Sequence, residues 1–447
     1  MDEKEIKRLK EDAVKYIIPH FASNSELAKG AKIFTKGEGC YVYDIEGNKY
    51  FDTFATLLTT VSGHNRPEIK EAIIRQLDEL EFFPNYVDTF TLPLINLSRK
   101  LAQIMPGDLS VSFYVNSGSE ANETALKIAR QYHLENGQPH RYKFIARRDS
   151  YHATTLGASS VTGLKWFREY FEPLLPGCIF VSAARERDCP PGMDSRTYGQ
   201  KLLQELEETI EDESPESIAG IIMDPLPGSN TAYPLPPAGY LEGVRALCDK
   251  YGIVLIFDEI QSGFGKTGKW FFCEHYDVVP DIMTIGKGFA GGYIPLAAAV
   301  MTKKIADVFR KKPGCELRSG STYGGHTLAC AAALANISVI EKNNLVQNAA
   351  RLGAYLEKRL NEMKNKYALV DRCSGIGLLW AIILKADAKL KVGTWLRDWC
   401  WKHKMILRNN GDMLVVAPSL TISQQEADEM LDKIDQAISE AIKRFKL

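Results

Sequence analysis

The chain has 447 residues, of which 45% are hydrophobic and 25% charged, and its 55 basic residues nearly balance its 56 acidic residues. A net charge of −1 argues against the basic surfaces that bind nucleic acids and anionic membranes, so neither is predicted as a partner. The 9 cysteines include no C-x-x-C pair, which favours reduced thiols in the cytoplasm over a disulfide framework, and no metal site is predicted.

The N-terminal 64 residues form the first predicted segment. Residues 1–20 are charged throughout and lack the apolar region of a signal peptide, and their beginning predicts a short amphipathic helix. In the stretch GCYVYDIEGNKYFD, apolar residues alternate on both sides of Glu46-Gly47-Asn48, a pattern typical of a β-hairpin. We expect residues 1–64 to pack against the C-terminal part of the chain.

Between residues 65 and 310, helical patterns alternate with short apolar runs. Strands separated by helices require crossover connections, so the pattern predicts an α/β fold with a mostly parallel sheet and helices on both faces. We assign residues 65–325 to this large domain. Its predicted strands are residues 111–115, 143–147, 178–182, 219–224, 253–257, 282–286 and 296–301.

The stretch VNSGSEANETALKIARQY includes the end of the first of these strands and predicts a helix that begins at a ligand site. Ser117 and Glu120 have the spacing of a capping box. Gly118 would let an anion approach the backbone, and Ser119 adds an amide and a hydroxyl at the positive end of the helix. A phosphate site fits this pattern, and so does an ordinary helix cap.

The stretch YGIVLIFDEIQSGFGKTG places two adjacent carboxylates, Asp258 and Glu259, after a buried strand. A charge at the end of an apolar strand is costly unless a positive group lies close to it. Because ligands bind at the carboxyl edge of parallel sheets, Asp258 is a candidate partner for a cationic ligand. A helix cap or a structural ion pair would also explain the residue.

Residues 263–268, GFGKTG, match G-x-G-x-x-G by letter. We set aside a dinucleotide-binding fingerprint because residues 258–262 separate the motif from the strand and no clear helical pattern follows it. Gly-Lys-Thr also resembles part of a P-loop, but the first glycine of that motif would fall at Ile260. We therefore interpret the stretch as a glycine-rich turn.

Lys287 follows an apolar strand and stands among Gly286, Gly288, Gly291 and Gly292. Glycines let the backbone approach a flat ligand, and a buried lysine loses basicity and becomes a nucleophile suited to Schiff-base chemistry. An exposed loop lysine is the alternative. Taken together, the phosphate site, the strand-end aspartate and this lysine predict pyridoxal phosphate (PLP), because its phosphate, ring nitrogen and aldehyde would match them in turn.

After Gly325 the sequence pattern changes. An Ala-rich helix is followed by the Gly-rich strand GIGLLWAIIL, a further helix and the strand DMLVVAP. The last helix begins with Ser423 and Glu426, which form a capping box, and it carries apolar residues on one face. We predict a smaller α+β domain over residues 326–447, packed tightly against the large domain because no linker separates them.

Over nearly its whole length, the chain resembles the class III PLP-dependent aminotransferases of fold type I. The blocks that carry the resemblance are NSGSEANETALKIAR, SYHATTLGASSVTG, IFDEIQSGFGKTGKW, PDIMTIGKGFAGGYIPLAA, GSTYGGHTLACAAALA and MILRNNGDMLVVAPSL. GSTYGGHTLACAAALA and PPAGYLEGVRALCDKYGI are most similar to the ω-amino acid:pyruvate and taurine:pyruvate enzymes. The resemblance implies transfer of an amino group from an ω-amino acid or amine to a keto acid such as pyruvate.

The resemblance also implies residue roles. Lys287 would form the Schiff base with the cofactor and move the proton, and Asp258 would pair with the ring nitrogen. Further residues implied in cofactor binding are Ser117, Gly118, Ser119, Tyr151, His152, Ile260, Gln261 and Thr322, the last of which would reach the phosphate of a neighbouring subunit. Residues implied in substrate binding are Arg408, Leu58 and Tyr151. The active unit would be a homodimer with shared active sites, and such dimers could pair into tetramers.

The identity of the amino donor is open at this point. In the stretch ATLLTTVSGH, Leu58 and Val61 stand where the family has an aromatic pocket residue, a departure that could reshape the donor pocket. 4-Aminobutyrate, a diamine or taurine are alternative donors. An aminomutase or a decarboxylase on the same fold is the alternative reaction, and a nucleotide-binding protein that uses GFGKTG is the alternative of a different class.

Overall fold

The structure, a computed structural model, describes residues 1–447 and contains three β-sheets, of which the central one positions the candidate site. All its strands run parallel except Ala297–Thr302, which pairs antiparallel with both neighbours. Each predicted strand is present within two residues at either end, and the predicted α/β fold is confirmed. In spatial order the strands are Leu109–Val115, Ala297–Thr302, Ile282–Ile285, Val254–Asp258, Ile218–Met223, Lys143–Arg147 and Cys178–Val181.

Successive residues of a strand point to opposite faces of the sheet. Since these strands are apolar on both faces, helices cover both of them. Ile256 packs in one apolar cluster with the helix Gly118–Glu135. Phe257 belongs to the larger core, which contains the helix Tyr240–Tyr251. Burial on both faces explains why the strands are almost continuously apolar. The helices of this part of the chain are Pro67–Glu79, Leu92–Ile104, Gly118–Glu135, Leu156–Ser160, Ser195–Asp212, Tyr240–Tyr251 and Lys303–Lys311.

The C-terminal part of the chain forms an antiparallel sheet with helices, as the α+β pattern predicts. The predicted capping box is present at the last helix, where Ser423 accepts from the Glu426 amide and Glu426 accepts from the Ser423 amide. The strands, in spatial order, are Val370–Ile376, Leu379–Leu384, Met413–Val416 and Arg408–Asn410. The helices are Thr327–Lys342, Leu345–Lys366, Val392–Lys402 and Gln424–Phe445.

The N-terminal segment contains the predicted helix and hairpin. The strand Lys49–Asp52 pairs antiparallel with Tyr41–Asp44, the first strand of the hairpin, and parallel with Met405–Ile406, a short strand of the C-terminal part. The domain boundaries after residues 64 and 325 stay predictions. None of the helices combines the length and apolar character needed to cross a bilayer. The helices of the segment are Glu3–Tyr16 and Asn24–Leu27, and its strands are Phe34–Glu38, Tyr41–Asp44 and Lys49–Asp52.

Candidate active site

Most of the predicted cofactor residues meet at the carboxyl edge of the central sheet, where ligands bind in parallel α/β folds. Asp258 is the last residue of its strand, and Lys287 comes shortly after the neighbouring strand Ile282–Ile285. A cavity of about 230 Å³ lies at this edge. Its lining includes Gly118, Ser119, Tyr151, His152, Asp258, Ile260, Gln261 and Lys287. Ser117 and Thr322 are the predicted cofactor residues that do not line it.

Asp258 is buried, and its carboxylate is held in one orientation by three donors. Asn122 Nδ2 donates to Oδ2 at 2.8 Å, and the amide of Ile260 donates to Oδ1 at 3.1 Å. His152 Nδ1 lies 3.0 Å from Oδ2, and no lysine or arginine side chain lies within ion-pair distance. No lysine or arginine therefore forms a structural ion pair with Asp258, and the carboxylate is available to a cationic ligand in the cavity.

Glu259, the second carboxylate of the pair, points away from this cavity and has a structural function. Its carboxylate accepts hydrogen bonds from Ser262 Oγ at 2.6 Å and from the amides of Phe272 and Cys273 at 2.8 Å each. Burial raises the pKa of Glu259, and these hydrogen bonds oppose the rise. The two adjacent carboxylates thus have different surroundings, and only Asp258 faces the cavity.

The helix Gly118–Glu135 begins at the cavity with free amide groups. Ser117 Oγ accepts from the Glu120 amide at 3.2 Å, and the Glu120 carboxylate accepts from the Asn116 amide at 2.9 Å. The amides of Gly118 and Ser119 precede the first intrahelical bonds and stay available to an anion. A Cβ at Gly118 would lie 2.8 Å from Ile260 Cδ1, so a larger residue here would require the Ile260 side chain to move. Ser117 therefore caps the helix, whereas Gly118 and Ser119 face the cavity.

Lys287 is half-buried, and its ammonium group has no hydrogen-bond partner in the chain. Burial lowers the pKa of Lys287 to about 8, Arg408 contributes to the lowering and Asp258 opposes it. A Cβ at the neighbouring Gly288 would lie 2.8 Å from Val61 Cγ1, which explains one of the glycines around the lysine. Near neutral pH the amine therefore gives up its proton far more readily than an exposed lysine does.

A larger cleft of about 670 Å³ adjoins the cavity and shares Leu57, Tyr151, Gln261 and Lys287 with it. The predicted substrate residues Leu58 and Arg408 line this cleft. Sequence reasoning missed its aromatic wall, which consists of Phe21, Trp166 and Phe167. No carboxylate side chain lines the cleft. Val61, which with Leu58 replaces the aromatic pocket residue of the family, is buried in the core and does not line the cleft.

The segment that carries Leu58 has an unusual backbone. Residues 55–58 all have positive φ, between 43° and 68°, although none of them is glycine. Left-handed helical residues of this kind cost roughly 1–2 kcal/mol each. Asp52 offsets part of that cost, because its carboxylate accepts from the amides of Phe54 and Thr56 at 2.9 and 2.5 Å and from Thr56 Oγ1 at 2.8 Å. The turn places Leu57 between the cavity and the cleft.

Two further buried polar residues support Asp258 and were not predicted. Asn122 also donates to the His152 carbonyl at 2.6 Å, and Thr284 Oγ1 donates to Asn122 Oδ1 at 2.8 Å. Their signal in the sequence was weak: Thr284 is the polar residue in the apolar run IMTI, and Asn122 follows Ala121 on the buried side of its helix. This network fixes the amide orientation of Asn122 and hence the direction in which it donates.

The glycine-rich stretch GFGKTG contributes no ligand site. Lys266 is fully buried and donates to the carbonyls of Ala417 and Pro418 at 3.1 and 2.7 Å. Burial lowers the pKa of Lys266 to about 7. The stretch forms turns and is followed by a short 3₁₀ helix, Phe272–His275. A phosphate could not reach the lysine, so the exclusion of a P-loop and of a dinucleotide fingerprint agrees with the structure.

Comparisons with known proteins identify relatives over the full chain. The family model described as aminotransferase class-III matches residues 23–438. The putrescine–pyruvate aminotransferase of Pseudomonas aeruginosa is 33% identical over 93% of this chain and 92% of its own. The diaminobutyrate–2-oxoglutarate transaminase of Halomonas elongata is 34% identical over 91% and 90%. An (S)-enantioselective ω-transaminase from Thermomicrobium roseum superposes with a TM-score of 0.93 and 35% identity, covering 98% of this chain and 99% of its own.

Proposed function

Because the chain belongs to the class-III aminotransferases, which depend on PLP, we propose that it moves an amino group from an ω-amino acid or amine to pyruvate with Lys287 and Asp258 at the reaction centre. Transfer from an amine to a keto acid is the activity of this family. The observation that supports the residue roles is the single cavity at the sheet edge, which Lys287 and Asp258 line together with the free amides of a helix N-terminus.

The residues around the cavity fit PLP group by group. The amides of Gly118 and Ser119 suit its phosphate, because a helix N-terminus favours an anion. Asp258 suits the protonated ring nitrogen, because no lysine or arginine side chain lies within ion-pair distance of its carboxylate. Tyr151 and Ile260 would enclose the ring from its two faces, and both line the cavity. When bound, PLP supplies an electron-withdrawing ring that stabilises negative charge on the carbon that loses its proton.

Lys287 is the proposed general base and acid of the reaction. Its lowered pKa of about 8 leaves a useful fraction of neutral amine at physiological pH. A base with a pKa near the working pH combines sufficient deprotonation with sufficient strength. The Nζ atom would remove the proton from the donor carbon that bears the amino group and return one to the accepting carbon.

Arg408 is the proposed binding residue for the substrate carboxylate. It is half-buried in the cleft, its guanidinium carbon lies 4.9 Å from the centre of the Phe54 ring, and it has no carboxylate partner. A planar guanidinium is well shaped for a carboxylate. The remaining wall is aromatic and aliphatic, which suits the apolar part of an amine. Pyruvate and the donor would occupy the same cleft in alternation.

A substrate panel tests this proposal. We expect the PLP-loaded protein to consume keto acid and form amino acid in equal amounts, with pyruvate preferred over 2-oxoglutarate. The donors are β-alanine, 4-aminobutyrate, putrescine, taurine and benzylamine, each with both acceptors. In the variant Arg408→Leu, the KM for pyruvate should rise by about tenfold to 100-fold, the value of a lost charge-assisted pair. Product without keto-acid consumption would instead indicate an aminomutase or a decarboxylase.

A homodimer is the proposed active unit. Exposed apolar patches mark interaction sites. One such surface, exposed in the protomer, lies along the segment that joins the first two helices of the large domain and along the start of the second of these helices. It consists of Phe83, Tyr86, Val87, Phe90, Leu92 and Ile95. Thr322 is exposed. It lies near this apolar surface, since Tyr86 Oη contacts Gly320 and the rings of Phe82 and Tyr323 are 5.3 Å apart. This position supports a contact of Thr322 with a partner's phosphate site.

Sedimentation tests the dimer. We expect a mass of about twice 50.0 kDa for the protein, and a shift toward the 50.0 kDa protomer for Val87→Glu, because Val87 is 95% exposed in the protomer and a buried charge is costly. Leu134→Glu, a change at an apolar residue that is 54% exposed on the helix Gly118–Glu135, is the matched control and should stay dimeric. A dimer that survives Val87→Glu unchanged would place the interface elsewhere.

We also propose a cytoplasmic location. All nine cysteines are free thiols in the structure, and six of them are buried. Free thiols are typical of reducing compartments, which supports the proposal.

A further inference from the structure

Arg408 is held in an unusual way for a half-buried arginine. Its Nη2 donates to Asn230 Oδ1 at 3.3 Å, and its Nε donates to Asn410 Oδ1 at 3.4 Å. Both partners are neutral, and both bonds are longer than the 2.7–2.9 Å of a charge-assisted hydrogen bond. No Asp or Glu lies within ion-pair distance of the guanidinium, so its charge is not neutralised by the chain.

Two other partly or fully buried arginines of this chain are paired with carboxylates, and a third, Arg141, donates to the carbonyls of Pro215, Ile218 and Tyr251 at 2.8–3.0 Å. Arg147 donates to Asp224 at 3.0 Å, and Arg245 donates to Asp281 at 2.9 Å. Each of these three arginines has a carboxylate partner or short hydrogen bonds to carbonyls, whereas Arg408 has only two long hydrogen bonds to neutral side chains. Burial lowers the pKa of Arg408, with Tyr233 and Tyr151 opposing, and a guanidinium in such surroundings still keeps its proton.

The orientation of the two asparagines follows from their other bonds. Asn410 Nδ2 donates to the Ser229 carbonyl at 2.9 Å, which leaves Asn410 Oδ1 on the side of Arg408. Asn230 Oδ1 also accepts from Asn410 Nδ2 at 3.5 Å. Both amide oxygens thus face Arg408, and the amide–carbonyl assignment is fixed by the network rather than free.

We propose that Asn230 and Asn410 are positioning residues that hold Arg408 charged and without a carboxylate partner, so that a carboxylate substrate displaces long bonds to neutral acceptors instead of a salt bridge. This inference rests on the proposed role of Arg408. When the carboxylate arrives, short bonds to an ionised acceptor replace long bonds to neutral acceptors. When the carboxylate leaves, the guanidinium again donates to the two amide oxygens. A substrate without a carboxylate therefore binds in a cleft where the guanidinium is already hydrogen-bonded. One cleft can therefore alternate between a keto acid and an apolar amine.

Asn230 and Asn410 together supply two uncharged acceptors to Arg408, an arrangement that we call the neutral cradle. The variant Asn230→Asp tests it. The change keeps the size of the side chain, and Asn230 Nδ2 makes no hydrogen bond that would be lost, whereas Asn410 Nδ2 does. The introduced carboxylate would pair with Arg408. We expect the apparent Kd of the pyridoxamine form for pyruvate to rise at least about tenfold, because a charge-assisted pair must now be broken. The half-reaction of the PLP form with benzylamine should change less than about twofold.

A matched control is available at Asn96. On an exposed helix face, Asn96 Oδ1 accepts from Arg99 Nη2 at 3.2 Å, the same kind of bond outside the site. Asn96→Asp should leave both half-reactions unchanged. Cofactor absorbance and thermal denaturation of Asn230→Asp show whether the variant folds. Asn230→Ser, which keeps a neutral oxygen, should restore most of the pyruvate affinity if charge is the cause.

The outcomes separate this inference from the proposed function. If Arg408→Leu leaves the pyruvate Kd unchanged, the proposed role of Arg408 fails. If Arg408→Leu weakens pyruvate binding but Asn230→Asp does not, the role of Arg408 stands and the neutral cradle is overturned. Equal losses in the pyruvate and benzylamine half-reactions of Asn230→Asp would also overturn it, because they would indicate a general disturbance of the cleft.

Discussion

Replacement of Lys287 by alanine is expected to lower the rate of amino transfer by at least about 10⁴-fold, since the variant loses both a covalent attachment and its acid–base group. The purified protein should also lose the cofactor absorbance that borohydride reduces irreversibly in the wild type. Steady-state rates with pyruvate and the best donor measure the first effect, and absorbance spectra before and after reduction measure the second.

Two comparisons make the Lys287 result specific. Lys303→Ala, at an exposed lysine that begins the helix after the last strand of the central sheet, should keep the wild-type rate. Added methylamine should restore part of the rate of Lys287→Ala, because a small amine can enter the volume left by the side chain and move the proton. A Lys287→Ala protein that turns over at the wild-type rate would refute the assignment of the cavity as the reaction centre.

The central sheet could be predicted because its physical signal is local. Parallel strands that are buried on both faces are short apolar runs, and glycine, proline or charged residues end them. The run that ends at Asp258 was predicted one residue early, because the carboxylate itself is the last strand residue. The position of Lys287 at the same edge followed from topology alone, since carboxyl ends of parallel strands share one edge.

Other parts of the site could not be predicted because long-range contacts determine them. The left-handed turn at residues 55–58 contains no glycine and exists because Asp52 and the surrounding structure hold it. The aromatic wall depends on Phe21, which is far from Trp166 in sequence but has its ring centre 5.6 Å away. The cradle of Arg408 likewise joins Asn230 to a strand almost 180 residues later. No local sequence pattern predicts such long-range contacts.

Lys266 shows why a local motif can mislead. In sequence it stands in a glycine-rich stretch that resembles a phosphate loop, and its burial was not predicted. The structure encloses the ammonium group between two carbonyls of the C-terminal part of the chain. A phosphate-binding motif requires a strand directly before it and a helix directly after it. The absence of this context predicted the structure of the stretch more reliably than the match of its residues to the motif.

Asp258→Asn is expected to lower kcat by about 10²- to 10³-fold, the usual effect of removing one preorganised electrostatic partner. The neutral amide cannot hold the ring nitrogen protonated, so the ring would withdraw fewer electrons. The amide would also direct an N–H toward Asn122 or the Ile260 amide, which are themselves donors. Rates should therefore be normalised to the PLP-loaded fraction, and the affinity for PLP should fall as well.

The adjacent carboxylate supplies the control for Asp258. Glu259→Gln replaces a carboxylate by an amide, as Asp258→Asn does, one residue away. Glu259, however, accepts hydrogen bonds from the amides of Phe272 and Cys273 and does not line the cavity. This substitution should lower the melting temperature, because a buried acceptor of two backbone amides is weakened, while kcat per PLP-loaded site stays within about twofold. If instead both variants lost activity equally with PLP bound, the distinction between a ligand-facing and a structural carboxylate would be wrong. If Asp258→Asn kept the wild-type kcat, a charged partner for the ring nitrogen would not be needed for the reaction.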